Sequence, residues 1–443
     1  MFNKVKGTKD YESNDIEIRN EILDAFLHLA EVNCFNLIET PILESADLYK
    51  RSVAGSDIVN KEMYEFTDKG DRKLSLRPEG TAGFIRALIE NKWYVTNEEF
   101  WPTTTKFVYY GPMFRYEQPQ KGRMRQFYQA GAEIIDSKSS KLNAFQDAEL
   151  IQMASNLLSE LNVNFVLKIN SIGDNKSREK YQEDLRKYLE NYKDELTEIS
   201  QERLKNNVFR ILDDKVDSQK PFMKNAPVLR DYLSSESEEH FKKTLHLLDI
   251  LGIKYEVDHS LVRGLDYYDE VVYEFMSLDK NAGSQATIIG GGRYSNLVKD
   301  LGGPDLRAAG WGLGIDRLID LLKLQKGEEY SELVEQNIDV LIGTSSNECK
   351  EELFAIASYL RGLDLNTHFV YELAKNKKIY EKAQKIKARF LILNDEKDPN
   401  NHCFIKDFET NKKIKFNPKS LDNFEKILDF IEQLDDSSEI DND

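Results

Sequence analysis

Gly111-Pro-Met-Phe-Arg-Tyr-Glu-Gln-Pro-Gln-Lys-Gly-Arg-Met-Arg-Gln-Phe-Tyr-Gln-Ala-Gly-Ala-Glu133 is the stretch whose reading settles most about this chain. It reads as a β-strand, a short basic loop and a returning strand. Side chains on a strand alternate between faces. Arg115 and Glu117 therefore share one face of the first strand, and Phe127, Gln129, Gly131 and Glu133 share one face of the second. The opposite face of the second strand carries Tyr128, Ala130, Ala132 and Ile134, mostly apolar or small, as suits a face packed against protein. One sheet face thus gathers an arginine, two carboxylates, an amide and an aromatic ring, with Arg123 and Arg125 projecting from or near the loop. Burying so many polar groups is costly unless something satisfies them. An anionic ligand with a flat ring and hydrogen-bonding edges would do so; the plainer alternative is a solvated hairpin with surface charges.

This segment resembles motif 2 of the class II aminoacyl-tRNA synthetases, in the form carried by histidyl-tRNA synthetases. Further landmarks of that family follow in order: Lys6-Gly-Thr-Lys-Asp10, Arg77-Pro-Glu-Gly-Thr81, Leu261-Val-Arg-Gly-Leu-Asp-Tyr-Tyr268, Gly290-Gly-Gly-Arg-Tyr294 and Gly310-Trp-Gly-Leu-Gly-Ile-Asp-Arg317, the last resembling motif 3. The resemblance spans nearly the whole chain. It implies an α+β fold: a class II antiparallel sheet flanked by helices, with a helical insertion and a small C-terminal α/β anticodon-binding domain. The implied activity is ATP-dependent ligation of histidine to tRNA(His), with Mg²⁺ accompanying ATP and no structural metal, in a cytoplasmic homodimer. Departures from the family pattern are few. Tyr11-Glu-Ser-Asn follows where a proline usually comes, Tyr128 stands where histidine is frequent, Gln118 where arginine is, and Asp316 where many relatives have glutamate.

Composition is compatible with this reading. A length of 443 residues suggests two or three domains. The chain is 40% hydrophobic and 31% charged, without an apolar run long enough to span a bilayer and without a basic-then-apolar leader. Cys34, Cys349 and Cys403 are far apart and form no C-x-x-C pair, which fits a reducing compartment and disfavours a disulfide framework or a structural zinc site. A formal net charge of −17 sits awkwardly with a nucleic-acid partner. Binding depends on local patches, however, and part of the excess lies beyond Leu434.

Periodicity divides the chain into residues 1–172 and 253–325 as two parts of a catalytic unit, with a lysine- and glutamate-rich helical insertion, 173–252, between them. A linker (326–336), an alternating α/β domain (337–432) and an acidic, disordered tail (433–443) follow. The spacing of Ile22, Phe26, Leu29 and Ala30 predicts an amphipathic helix over 15–32, capped by Ser13 or Asn14. Leu37–Leu43 reads as an edge strand that Pro41 ends or interrupts. In the family this helix and strand form motif 1, the dimer interface.

Adenylate formation brings a carboxylate to an ATP α-phosphate, so the site must offset the repulsion between two anions. Arginines suit this because they stay charged and grip oxyanions through paired hydrogen bonds. Arg115 and Arg263 are the candidates at the reacting centre, with Arg123 and Arg317 on the outer phosphates. The plainer alternative for Arg263 is a salt bridge with Asp266. By resemblance, Phe127 stacks on adenine and Glu117 bonds its edge. Neutral imidazole offers one N–H donor and one bare nitrogen; Glu133 and Tyr268 are the candidates to meet them, with Tyr267 and Tyr294 as walls. Glu79, Gly80, Thr81 and Gln129 would receive the rest of the amino acid, its ammonium above all. For the tyrosines, core packing is the alternative. Lys375, Lys377, Lys378, Lys382, Lys385, Lys387 and Arg389 form a basic stretch suited either to RNA or to a solvated helix face. The rival to a ligase is a synthetase-like regulatory subunit of ATP phosphoribosyltransferase, which would bind histidine without charging tRNA.

Overall fold

The computed structural model describes residues 2–52, 58–95, 104–118, 123–136, 142–206, 208–212, 214, 216–263, 267–279, 287–326, 338–398, 400, 402–420 and 422–439. The chain divides into two compact units, Met1–Gly327 and Glu328–Asp443.

The strands of the first unit are β1 (Asn36–Leu37), β2 (Leu43–Ser45), β3 (Glu65–Thr67), β4 (Lys73–Leu76), β5 (Thr104–Phe114), β6 (Gln126–Asp136), β7 (Phe165–Ser171), β8 (Glu256–Val257), β9 (Asp269–Ser277), β10 (Thr287–Arg293) and β11 (Arg307–Gly314). Eight of them form one sheet in the order β1-β5-β6-β11-β10-β9-β7-β8, and β2-β4-β3 form a small second sheet. All neighbours in the large sheet run antiparallel except the two edge pairs, β1 with β5 and β7 with β8. This is the antiparallel sheet the sequence implied.

Helices α1 (Ser13–Val32), α2 (Thr81–Glu90), α3 (Ala144–Glu160), α4 (Asn175–Glu190), α5 (Ser235–Ile250) and α6 (Ile315–Lys326) accompany it. On α1, Ile18, Ile22, Ala25, Phe26, Leu29 and Ala30 recur at helical spacing and are buried. The Phe26 ring meets Trp311 of β11 edge-on at 5.9 Å. The expected cap is not used. The N-cap is Glu12, without a side-chain cap bond, because the helix begins early enough to take Ser13 and Asn14 into its first turn. The expected strand at 37–43 is also two strands. The chain turns at Pro41, so β1 edges the large sheet and β2 joins the small one.

Among the described residues of the insertion, 173–252, every regular element is helical. Its Tyr181, Leu185 and Leu189 share one hydrophobic core with Phe84 and Phe107 and with Tyr268 and Tyr294, so the insertion backs the sheet rather than closing a core of its own.

The second unit is built from β12 (Val340–Ile342), β13 (Thr367–Phe369), β14 (Phe390–Asn394), β15 (Cys403–Asp407), β16 (Lys413–Phe416) and helices α7 (Lys350–Arg361), α8 (Asn376–Lys385) and α9 (Asn423–Glu439). Its sheet runs β13-β12-β14-β15-β16, parallel over the first three strands and antiparallel thereafter. Ile379 and Ala383 anchor α8 inward while Lys377, Lys378, Lys382 and Lys385 stand exposed. The acidic tail begins as structure. Helix α9, seated by Ile427, Phe430, Ile431 and Leu434, continues to Glu439, and residues 440–443 lie outside the described residues, as does most of the expected linker. No helix among the described residues is long and apolar enough to cross a membrane.

Candidate active site

The strands of the quoted stretch, β5 and β6, lie second and third in the large sheet, beside the edge strand β1. On β6, Ala130, Ala132 and Ile134 are fully buried against protein, as alternation required. Glu133 faces the other way and is 1% exposed. Thr81 Oγ1 donates to its Oε1 at 2.8 Å and Tyr109 Oη to the same oxygen at 3.0 Å; Tyr294 Oη donates to Oε2 at 2.5 Å. Burial pushes the Glu133 carboxyl up to about 8, against the lowering effect of the hydrogen bonds from Tyr294, Thr81 and Tyr109, with Glu79 adding to the rise. With an ordinary value of 4.5, the proton is held more tightly in the folded state than in the unfolded chain. The stability this gives is present below that ordinary value and is lost as pH rises through about 8. An ionised carboxylate has about four acceptor sites. Three hydroxyls leave one for a ligand.

Around Glu133 the tyrosines form a cage. The Tyr267 ring lies 4.7 Å from Tyr268 and 5.6 Å from Tyr294, centre to centre. Tyr268 and Tyr294 are buried within the same core, so packing and pocket-lining are one arrangement here. Glu79 is buried and caps α2, its two oxygens accepting from the Thr81 and Ala82 amides at 2.7 and 2.9 Å. Burial raises its pKa. Gln129 Oε1 is a buried acceptor with no hydrogen-bond partner among the described residues.

The arginines gather at the loop end of the hairpin. β5 stops at Phe114, so Arg115 and Glu117 lie just past the strand that was expected to carry them. The chain leaves its partner there because the Tyr116 amide bonds to Glu62 O at 2.7 Å, although Arg115 N still pairs with Arg125 O at 3.0 Å. Arg115 Nε donates to Pro78 O at 2.8 Å, and its guanidinium stands 5.2 Å from the centre of the Phe127 ring. Arg123 pairs with Glu117 at 3.3 Å. Arg317, at the start of α6, donates to Thr287 O at 3.0 Å. Burial, then the nearby Arg123 and Arg115, lower the Arg317 pKa, while Glu117 and Glu274 oppose them. Three guanidiniums that repel one another are stabilised by an anion between them.

Arg263 joins the two halves. Its guanidinium lies 5.5 Å from the Tyr268 ring centre, and Nη1 pairs with Glu274. Burial would lower its pKa; Glu274, then Tyr268 and Tyr267, more than offset this and raise it. Its partner is Glu274 on β9; Asp266 lies outside the described residues. Arg263 Nε is buried and has no hydrogen-bond partner among the described residues, leaving a donor for an incoming oxyanion.

Glycines supply the room. A Cβ at Gly290 would come within 2.6 Å of Arg263 Cζ, and one at Gly312 within 2.6 Å of Gln129 Nε2. A Cβ at Gly310 would overlap Glu133 Oε2 and lie 2.6 Å from Ala132 O. Gly310→Ala should therefore dislodge Glu133 and cut histidine-dependent activity at least 100-fold, since groups acting together lose their effect together. A folded Gly310→Ala protein with histidine kinetics near those of the parent would refute this role.

The family model for histidyl-tRNA synthetase matches residues 7–318. The chain belongs to the histidyl-tRNA synthetase family. It is 43% identical to a histidine–tRNA ligase of Mycoplasma mobile over 90% of this chain and 86% of that one. To the ligase of Malacoplasma penetrans it is 41% identical over 98% and 99%. Among solved structures, the apo histidyl-tRNA synthetase of Staphylococcus aureus is similar at a TM-score of 0.74 and 32% identity, covering 94% of this chain and 97% of that one. Against the family's motifs, two residues of this site escaped the sequence reading. Tyr109 had a signal: its register partner on the ligand face is Gly131, where the missing side chain admits the ring. Glu274 had none, because it lies on a strand that no motif marks.

Proposed function

We propose that this member of the histidyl-tRNA synthetase family is a histidine–tRNA ligase. It joins a carboxylate oxygen of L-histidine to the α-phosphorus of ATP, breaks the bond to the β-phosphate and releases pyrophosphate. A ribose hydroxyl at the 3′ end of tRNA(His) then attacks the carbonyl carbon, forming an ester, breaking the acyl–phosphate bond and releasing AMP. The observation that carries this reading is Glu133: a buried carboxylate ringed by three hydroxyls, with one acceptor site left and aromatic walls beside it. That is a socket for a flat ring bearing an N–H. Tyr268 meets the ring's other nitrogen, while Tyr267 and Tyr294 flank it. Gln129, Glu79 and Thr81 take the ammonium, with Gly80 beside them leaving the space that the Tyr109 ring fills.

Arg263 and Arg115 hold the carboxylate and the α-phosphate as their charges converge, acting as fixed positive groups with no general base. Arg123 and Arg317 take the outer phosphates, Phe127 stacks on adenine and Glu117 bonds its edge. Mg²⁺ brought by ATP keeps most of its ligands as phosphate oxygens and water, so it needs only one or two carboxylates. Glu274, beside Arg263 and Arg317, fits that need and would hold the ion, which would supply further charge neutralisation. No group of three or more metal-ligating side chains occurs among the described residues. The exposed lysine face of α8 supports the reading of the second unit as the anticodon-binding domain. Exposed Leu37, Ile42 and Leu43 give the β1–β2 segment the apolar character of a homodimer interface. Three free cysteines suit a cytoplasmic protein.

ATP–pyrophosphate exchange tested with each amino acid in turn should depend on L-histidine and on ATP with Mg²⁺. Histidine binding in calorimetry with no exchange would favour the regulatory-subunit reading instead.

A further inference from the structure

The segment Lys6–Tyr11 carries none of the chemistry assigned above, yet it is fastened to the ATP side of the site at two points. Gly7 O accepts from Arg125 N at 2.7 Å, and Arg125 O in turn accepts from Arg115 N at 3.0 Å. The backbone of residue 125 is thus held between this segment and the arginine at the reacting centre. Gly7 has φ +86°, a left-handed conformation natural to glycine, and Thr8 closes the turn on Val5 O. Four residues on, Tyr11 Oη donates to Asp316 Oδ1 at 2.6 Å, while Asp316 Oδ2 accepts from Tyr128 N at 2.5 Å. One carboxylate therefore ties three pieces of chain together: the N-terminal segment, β6 next to Phe127, and α6 next to Arg317.

The rings agree with the hydrogen bonds. Tyr11 and Tyr128 meet edge-to-face at 5.5 Å, and the Arg19 guanidinium lies 5.4 and 4.5 Å from their respective centres. Lys9 bonds to Asp15 of α1 at 2.8 Å, and Lys323 of α6 pairs with the same carboxylate. Tyr11, Tyr128 and Asp316 thus meet in one cluster. The short carboxylate of Asp316 is reached by a long phenol.

We propose that residues 7–11 form a buckle that holds the hairpin of Arg115, Arg123 and Phe127 against the start of α6, with Tyr11 as a positioning residue for ATP. The inference rests on the reading that this side of the site binds ATP. Tyr11 touches neither reacting group; it acts through Asp316 on the strand beside Phe127.

Tyr11→Phe removes only the hydroxyl and keeps the ring against Tyr128. In ATP–pyrophosphate exchange it should raise KM for ATP about tenfold, the expected scale for losing one hydrogen bond to a charged group. KM for histidine and kcat should stay within about twofold. In a cycle with Asp316→Asn, the double variant should be no worse than Asp316→Asn alone, because both changes break one linkage. An unchanged KM for ATP, equal rises for ATP and histidine, or additive losses in the cycle would each overturn the buckle. If the unmodified protein shows no histidine-dependent exchange, the proposed function fails by itself. Calorimetric titration with ATP–Mg²⁺ then still reads the buckle, which weaker binding by Tyr11→Phe supports and equal binding rejects.

Discussion

Single-turnover adenylation by Arg263→Gln should run about 100- to 1,000-fold slower than by the unmodified protein, the usual cost of removing one preorganised charge donor. Arg263 stands beside the tyrosine cage, its guanidinium 5.5 Å from the Tyr268 ring centre. Glu274 aims it, and its buried Nε is left for an oxyanion. Glutamine keeps part of the stem and some hydrogen bonding but no charge, so the loss reports on charge rather than on a cavity. Arg263→Lys should recover little, because an ammonium cannot reproduce the planar fork. Histidine affinity should fall less than the rate, since the Glu133 socket is intact. Rapid-quench measurement of adenylate, with circular dichroism as the check on folding, decides the matter. A rate near that of the parent would make Arg263 a structural partner of Glu274.

Glu133→Gln should raise KM for histidine about 100-fold, within the range for hydrogen bonds to a charged group, and leave KM for ATP nearly unchanged. An amide presents one acceptor oxygen where the carboxylate presents two, yet three hydroxyls still point at it. The site is then left with unmatched donors and no acceptor for the imidazole N–H. The pH dependence sharpens the test. With burial holding Glu133 at about 8, rising pH converts a proton-bearing carboxyl into a pure acceptor. Histidine affinity of the parent should therefore strengthen from about pH 6 to about pH 8, partly through loss of the free imidazolium proton near 6.5. Glu133→Gln should retain only that latter part. Isothermal titration of both proteins across the range measures it, and parallel profiles would remove Glu133 from histidine recognition.

The sheet and the polar face of β6 were legible because alternation on that strand is strict: Ala130, Ala132 and Ile134 one way, Gln129 and Glu133 the other. Helix α1 was legible from its apolar spacing, whereas its cap was not, since Ser13 and Asn14 are equally good caps on paper and both fall inside the helix's first turn. The break at Pro41 was visible, but the destination of Leu43 in a second sheet was not, because strand partners distant in sequence leave no local mark. Arginines and tyrosines of the site were marked by motifs. Their holders were not: Glu274 pairs with Arg263 from β9, a strand that no motif marks, and Tyr109 reaches Glu133 only because two strands align. The insertion read correctly as helical, while its sharing of a core with Tyr268 and Tyr294 is a tertiary fact that amphipathic spacing alone does not encode.

Gly290, Gly310 and Gly312 have a consequence for anyone who maps this protein by random mutagenesis. None of them carries a functional group, yet the space each leaves is filled by the side chain of Arg263, Glu133 or Gln129. Inactivating hits at these positions will mimic loss of a catalytic residue while changing no reactive atom. Tolerance will follow volume rather than polarity, so that serine is no milder than alanine. Part of what this sequence specifies is the shape of what it leaves out.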